Sequence, residues 1–310
     1  MYKKKLAVLT DFLGASYRSG NEHLFFCPKC GHHKKKLSVN ISKDKFKCWV
    51  CDYRGSSIRR LVRRYGKYSH QSEWAKFQPD LEIDKFEQLF AFASEPEEEQ
   101  VVPLPEEFKS LSSTVTSLTA KPAKRYLAMR GISKADILRW KIGYCSSGEY
   151  AGRIVIPSFN EDGKVNYFVG RSYDSHWKKY MNPPTGRNIV FNELYVDWQS
   201  DVSIVEGVFD AIVAGNAVPI LGSSLREDSR LIKNVVENDT PVYIALDPDA
   251  EKKALKLIKK LLTFDIELYK VNIAPYSDVG EMSKQEYQKR KAQATLMNQE
   301  SFLVNAIASI

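Results

Sequence analysis

No apolar run in the 310 residues is long enough to cross a bilayer as a helix, so no membrane span is expected. The N-terminus, Met1-Tyr2-Lys3-Lys4-Lys5, is basic, but the apolar segment behind it breaks at Asp11, so it does not read as a signal peptide. The motif G-x-x-x-x-G-K-[ST] is missing, which excludes a P-loop motor. Cysteine is scarce, with five residues in the whole chain. Without a secretion signal, these thiols point to a reducing, cytoplasmic setting. The hydrophobic fraction of 43% is ordinary for a globular protein, and the length suits two or three domains.

Four of the five cysteines form two Cys-x-x-Cys pairs, Cys27-Pro28-Lys29-Cys30 and Cys48-Trp49-Val50-Cys51. The 17 residues between the pairs fall within the spacing of a four-sulfur zinc site. Each knuckle can place two thiolates on one metal, and the two knuckles complete a tetrahedron. Disulfides are the alternative, and iron can occupy the same thiolate geometry. A closed four-thiolate shell leaves no position for a substrate, so the metal is expected to be structural Zn²⁺.

Charge is unevenly spread. Residues 1–76 carry 18 Lys and Arg against 5 Asp and Glu, while 77–110 carry 2 against 10. A concentrated positive segment containing Phe46, Trp49 and Tyr53 suits phosphate backbones and unpaired bases. The acidic, proline-bearing stretch that follows reads as an interdomain linker, with a helix expected at Asp84–Ala93.

Short strands are expected at Leu24–Phe26, Leu37–Ile41 and Lys45–Lys47, then a basic helix over Ser57–Tyr65. Pro122–Met129 reads as a helix stopped by Gly131, and Ser133 with Asp136 as a capping box. Arg153–Pro157 and Val165–Val169 form a hairpin around Asp162-Gly163. After residue 200, strands at 202–205, 218–221, 242–246 and 266–273 alternate with helices at 208–215, 226–237 and 250–264, the pattern of a mostly parallel sheet. The last helix has an apolar face of Ala254, Leu255, Ile258, Leu261 and Leu262, opposite a lysine face.

Ligands of open parallel sheets bind outside the carboxyl ends of the strands, and acids stand there: Glu206 and Asp210, Asp247 and Asp249, Asp278 and Glu281. Carboxylates converging on one rim repel one another, and a divalent cation relieves the repulsion. Mg²⁺ or Mn²⁺ held there can activate a hydroxyl and stabilise a leaving pyrophosphate. Each acid taken singly could instead serve a helix N-terminus.

Val205-Glu206-Gly207-Val208-Phe209-Asp210-Ala211 and Asp247-Pro248-Asp249 resemble the two acidic motifs of the Toprim domain. Tyr126 to Ser133, Arg153 to Pro157, Gly163 to Arg171 and Lys179 to Thr185 resemble successive motifs of bacterial and phage DnaG-type DNA primases, and a zinc ribbon precedes them in the same order. The resemblance implies α/β and α+β domains: a zinc ribbon at 1–76, an acidic linker at 77–110, a basic subdomain of the RNA polymerase core at 111–198, and a parallel α/β Toprim domain with a C-terminal helical segment at 199–310. It implies that Glu206 is the catalytic acid–base or metal-orienting residue, and that Asp247 and Asp249 hold Mg²⁺ with Asp210 and Asp278 contributing. Arg153, Arg171, Lys179 and Asn182 would line a groove for template and incoming nucleotide. The expected activity is synthesis of short RNA primers on single-stranded DNA from rNTPs, beside a separate replicative helicase, in a stand-alone phage-like form. Two departures stand out. Phe191-Asn192-Glu193 replaces a stretch where the family carries a lysine, and Pro248 replaces a common glycine. A Toprim nuclease or topoisomerase-type enzyme with a zinc module would share the acids and the zinc but not the blocks at 121–187.

Overall fold

Two cysteine knuckles flank the first of the three five-stranded sheets found among the described residues. The computed structural model describes residues 1–55, 57–77, 100–112, 117–174, 178–222, 229–264, 266–298 and 301–302. The helix expected at 84–93, and most of the acidic segment around it, lie outside the described residues.

Helix α1 (Tyr2–Leu13) precedes strands β1 (Tyr17–Ser19), β2 (Glu22–Phe25), β3 (Leu37–Asn40), β4 (Lys45–Cys48) and β5 (Arg54–Gly55), which pair antiparallel in chain order. The three expected strands are present within a residue or two. Helix α1 and the β1 hairpin went unread, because the segment before Asp11 was weighed only as a leader. Val8, Leu9 and Leu13 of α1 bury against Phe25, Leu37, Phe46 and Trp74, giving the zinc unit its own core. Sγ–Sγ distances are 3.8 Å for Cys27–Cys51 and 3.9 Å for Cys30–Cys48, and all four sulfurs lie within 4.8 Å of one another. A tetrahedron with Zn–S bonds of about 2.3 Å has edges of about 3.8 Å, so the four sulfurs fit Zn²⁺. The cysteines are not joined as disulfides.

Helices α2 (Ile58–Tyr65) and α3 (Tyr68–Ala75) complete the unit. Ser57 Oγ accepts from Arg59 N and caps α2. Ile58, Leu61 and Val62 are buried as their spacing predicts, but so is Arg60.

Strand β6 (Lys109–Ser110), helices α4 (Lys121–Met129) and α5 (Lys134–Arg139), and strands β7 (Gly143–Cys145), β8 (Arg153–Phe159), β9 (Val165–Ser172) and β10 (Tyr180–Met181) build the second sheet, antiparallel in the order β10-β9-β8-β7-β6. Gly131 at φ +70° ends α4, with its N–H bonded to Ala128 O. The Ser133–Asp136 capping box forms as expected.

In the third sheet, β11 (Val202–Val205), α6 (Val208–Ala214), β12 (Ala217–Pro219), α7 (Arg230–Asn238), β13 (Val242–Ala245), α8 (Glu251–Thr263) and β14 (Leu268–Lys270) alternate. Helix α9 (Lys284–Ala292) then leads to β15 (Thr295–Met297), which pairs antiparallel with β14 at one edge. The order is β12-β11-β13-β14-β15, with the first four strands parallel. Helices α7 and α8 cover one face, α6 and α9 the other. Along α8 the buried residues are Ala254, Leu257, Ile258 and Leu261, so Leu257 takes the place expected for Leu255. One apolar cluster joins Leu127, Ile154 and Phe191 of the second unit to Val208, Phe209 and Ile212 of the third. The core therefore runs continuously across residue 198.

The zinc unit docks where the parallel strands begin. Arg60 pairs with Glu267 and, at 3.3 Å, with Asp239, while Arg63 pairs with Asp239 and donates to Phe264 O at 2.9 Å. Arg60, Asp239 and Glu267 are all buried or nearly so. An ion cluster of this kind is costly to break by halves, because removing one partner strands a buried charge.

Two predictions follow from this geometry. Cys48→Ser should release the zinc, about one per chain, and unfold the zinc unit, because metal binding and folding are linked in such modules. Elemental analysis with circular dichroism checks this, and retained zinc would contradict the four-thiolate site. Arg60→Ala should lower stability to urea by about 3–5 kcal/mol. A loss below about 1 kcal/mol would mean the cluster behaves as a solvated surface pair.

Candidate active site

The carboxyl ends of β11 and β13 deliver Glu206 and Asp247 to a cavity of about 560 Å³, and the loops around them bring Asp210 and Asp278 to the same wall. Arg130, Arg171, Lys179, Asn182 and Arg187 line the same cavity. Seven of the sequence-derived candidates thus meet in one place: Glu206, Asp210, Asp247 and Asp278 among the acids, and Arg171, Lys179 and Asn182 among the groove residues. Two candidates do not line it. Asp249 stands exposed in the turn leading into α8, next to the rim rather than on it. Arg153 is buried at 3% exposure and donates to Lys178 O at 3.0 Å, so it braces the loop after β9 instead of facing the groove.

The acids are not equivalent. Asp210 Oδ2 accepts from Gly207 N at 2.7 Å and its Oδ1 from Gly280 N at 2.8 Å, so the side chain ties two rim loops together. A Cβ at Gly280 would stand 2.9 Å from that Oδ1, which is why the position needs glycine. Burial pushes Asp210 up to about 6, against the two amides and with Asp278 and Glu206 adding to the rise. Asp278 Oδ1 accepts from Glu281 N at 2.9 Å, a cap for its own short turn. Glu206 Oε1 and Asp247 Oδ1 are buried and lack hydrogen-bond partners. Lys253 Nζ approaches Glu206 only to 3.9 Å. Burial raises Glu206 against the opposing charge of Lys253, with Asp249 adding to the rise, and pushes Asp247 up to about 7, reinforced by the charges of Asp210, Glu206, Asp278 and Asp249.

Two unpartnered carboxylate oxygens amid like charge are what an oxygen-coordinated dication satisfies, so the residues fit Mg²⁺ or Mn²⁺. Among the described residues only the cysteines gather three or more ligand atoms within 4.8 Å. The carboxylates do not close on one point, as suits ions that keep water and substrate oxygens as ligands.

The cationic wall is built around Tyr126. Its hydroxyl accepts from Arg130 Nε at 2.8 Å and Arg171 Nε at 2.9 Å. Arg130 also lies 4.8 Å over the Phe209 ring, and Arg171 lies 4.7 Å over Tyr180. Both guanidinium planes are held before any anion arrives. Asn182 Oδ1 accepts from Gly170 N, and Arg187 donates to Leu221 O. Arg130, Arg187 and Tyr126 were not expected in the site. Arg130 and Tyr126 sit inside the block Tyr126–Ser133, where only the arrest of α4 at Gly131 turns the arginine toward Phe209. Arg187 carries no signal beyond its charge. Glu193, which stands where a lysine was expected, is buried and bonded to Arg230 and Asn234, so it anchors α7 and takes no part in the groove.

The raised acids give a pH signature. Asp247 ionises near its ordinary value, about 3.9, in the unfolded chain and at about 7 in the metal-free fold. Between those values the fold binds more protons, so its contribution to stability is complete below the lower value and lost as pH rises through the upper. Metal-free Asp247→Asn should melt close to the parent near pH 4 and increasingly above it toward pH 8, with Mg²⁺ narrowing the gap. Calorimetry across pH checks this, and a gap independent of pH would contradict it.

No protein-family model matches the chain. The DNA primase of Thermotoga maritima is 23% identical over 327 residues, covering 90% of this chain and 57% of that protein. The DNA primase of Clostridium acetobutylicum is 24% identical over 313 residues, covering 82% and 51%. The chain therefore spans about half the length of the curated relatives it matches. Among solved structures, the zinc-binding and RNA polymerase domains of the Aquifex aeolicus primase align over 95% of this chain and 84% of that one, at a TM-score of 0.50 and 20% identity. A DnaG primase catalytic domain bound to single-stranded DNA aligns over 62% and 77%, at 0.53 and 19%. The chain is thus similar in sequence to bacterial DNA primases over most of its length, and it shares the fold of the zinc-binding and RNA polymerase domains of DnaG-type primases.

Proposed function

We propose that the chain synthesises short RNA primers on single-stranded DNA by metal-dependent nucleotidyl transfer from rNTPs. The observation that carries this reading is one cavity lined by four carboxylates and by arginines that Tyr126 pre-orients. Glu206 and Asp247, whose buried oxygens lack partners, would hold Mg²⁺ or Mn²⁺, with Asp210 and Asp278 as supports. Held there, the dication would supply a lowered pKa for an attacking hydroxyl and positive charge for a leaving pyrophosphate. Arg130, Arg171, Lys179 and Arg187 would bind triphosphate and template phosphates. Because Tyr126 fixes two of the guanidiniums, little reorganisation remains when charge develops in the transition state. The amide of Asn182, turned by its bond to Gly170, would position the incoming nucleotide.

The zinc unit would select where synthesis starts, through its basic surface and exposed Trp49. Single-stranded template, rNTPs and a separate replicative helicase are the partners this reading requires. Among the described residues no helix is long and apolar enough to cross a membrane.

Incubation with single-stranded DNA, rNTPs and Mg²⁺ tests the proposal. Glu206→Gln and Asp247→Asn should each cut primer synthesis about 100-fold or more while leaving template affinity nearly unchanged. Asp249→Asn, outside the cavity, should cost about tenfold or less, the loss of a longer-range charge. Strand cleavage in place of ribonucleotide polymerisation, or near-normal synthesis by the first two variants, would reject the reading.

A further inference from the structure

The zinc unit and the parallel sheet enclose a cavity of about 430 Å³ that the proposed chemistry does not use. Lys43, Lys45, Lys47 and Arg54 line it from the zinc unit, and Glu267 and Tyr269 from the start of β14. Three aromatic residues line it: Phe46, which is buried in the core of the zinc unit, and Trp49 and Tyr269. Trp49 is 65% exposed, with Lys47 Nζ 4.9 Å from its ring centre. Tyr269 stacks on Tyr243 at 4.6 Å between centroids and 10° between planes.

Glu22 is the residue out of place. It is a carboxylate in a wall of four cations, yet no ion pair among the described residues uses it. Instead Oε2 accepts from Ser38 Oγ and Oε1 from Asn40 Nδ2, each at 2.7 Å, and both donors are buried on β3. Each carboxylate oxygen can accept more than one hydrogen bond, so Glu22 is a fixed acceptor with capacity to spare. A group meant only to bind phosphate would not be negative. An acceptor beside stacking rings and phosphate-binding cations is equipped to read the edge of a base.

We propose that this cavity is a subsite for an unpaired template base and that Glu22 selects a base carrying an exocyclic amine. The proposal rests on the single-strand reading given above. Cytosine N4, adenine N6 and guanine N2 each offer N–H donors to the carboxylate. Thymine offers one ring N–H between two carbonyls, which the carboxylate repels. Trp49 and Tyr269 supply stacking faces, and the cations take the flanking phosphates. The volume lies at the small end of ligand sites, the size for one nucleotide. Glu267 is also the partner of Arg60, so the subsite is complete only while the zinc unit is docked.

The test uses the full-length, zinc-loaded chain and labelled oligothymidylates carrying one central dC, dA or dG, with all-thymidine as the control. Binding is read by anisotropy and by quenching of tryptophan fluorescence. Oligonucleotides with an amine-bearing base should bind about 5- to 50-fold tighter than the control, and the tightest of the three identifies the base. Glu22→Gln should erase this preference with zinc content and salt dependence unchanged. Trp49→Ala should weaken all oligonucleotides about tenfold. Equal binding of the control by the parent, or a preference that survives Glu22→Gln, overturns the subsite. If Glu22→Gln loses zinc, Trp49→Ala decides, and unchanged affinity in that variant overturns the subsite as well. A parent that binds no oligonucleotide of any composition overturns the single-strand reading itself, and the subsite with it.

Discussion

Like charge crowded at the carboxyl ends of parallel strands is the constraint around which this chain is built. Glu206, Asp210, Asp247 and Asp278 line one cavity; burial raises Glu206, Asp210 and Asp247 above their ordinary values, and neighbouring carboxylates add to the rise. Two backbone amides relieve Asp210. Glu206 Oε1 and Asp247 Oδ1 have no hydrogen-bond partner, and only Lys253, at 3.9 Å, offsets the charge of Glu206. The remaining deficit is what a dication and its substrate phosphates would fill, and the wall held by Tyr126 stands ready for the phosphates.

The other end of the same sheet solves the same problem differently. Asp239 and Glu267 are also buried carboxylates, but Arg60 and Arg63 of α2 neutralise them from within the chain. Acids at the strand starts thus hold the zinc unit in place, while acids at the strand ends stay available to an external cation. The two roles differ only in whether the fold supplies a counterion.

Much of the site was legible in the sequence because strand–helix alternation places loop acids on one rim. Glu206, Asp210, Asp247 and Asp278 followed from their positions after strands. Asp249 did not reach the cavity because Pro248 starts the turn into α8 and leaves Asp249 on its outside. Arg153 heads its strand, where it reads equally well as facing the groove or the interior. Pairing of β8 between β7 and β9 decided for the interior. Arg60 had the look of a solvated helix residue until its partners, about 180 and more positions away in the chain, were known.

The sequence alone determined the zinc knuckles, the hairpin, the capping box and the parallel alternation, because each depends on residues within a few positions or one period of each other. Tertiary structure alone decided which cations face the acids, that Tyr126 joins two arginines, that Glu193 turns inward, and where the zinc unit docks. Those outcomes depend on contacts between segments far apart in the chain. There side-chain direction, burial and the supply of counterions are set by packing, not by local pattern.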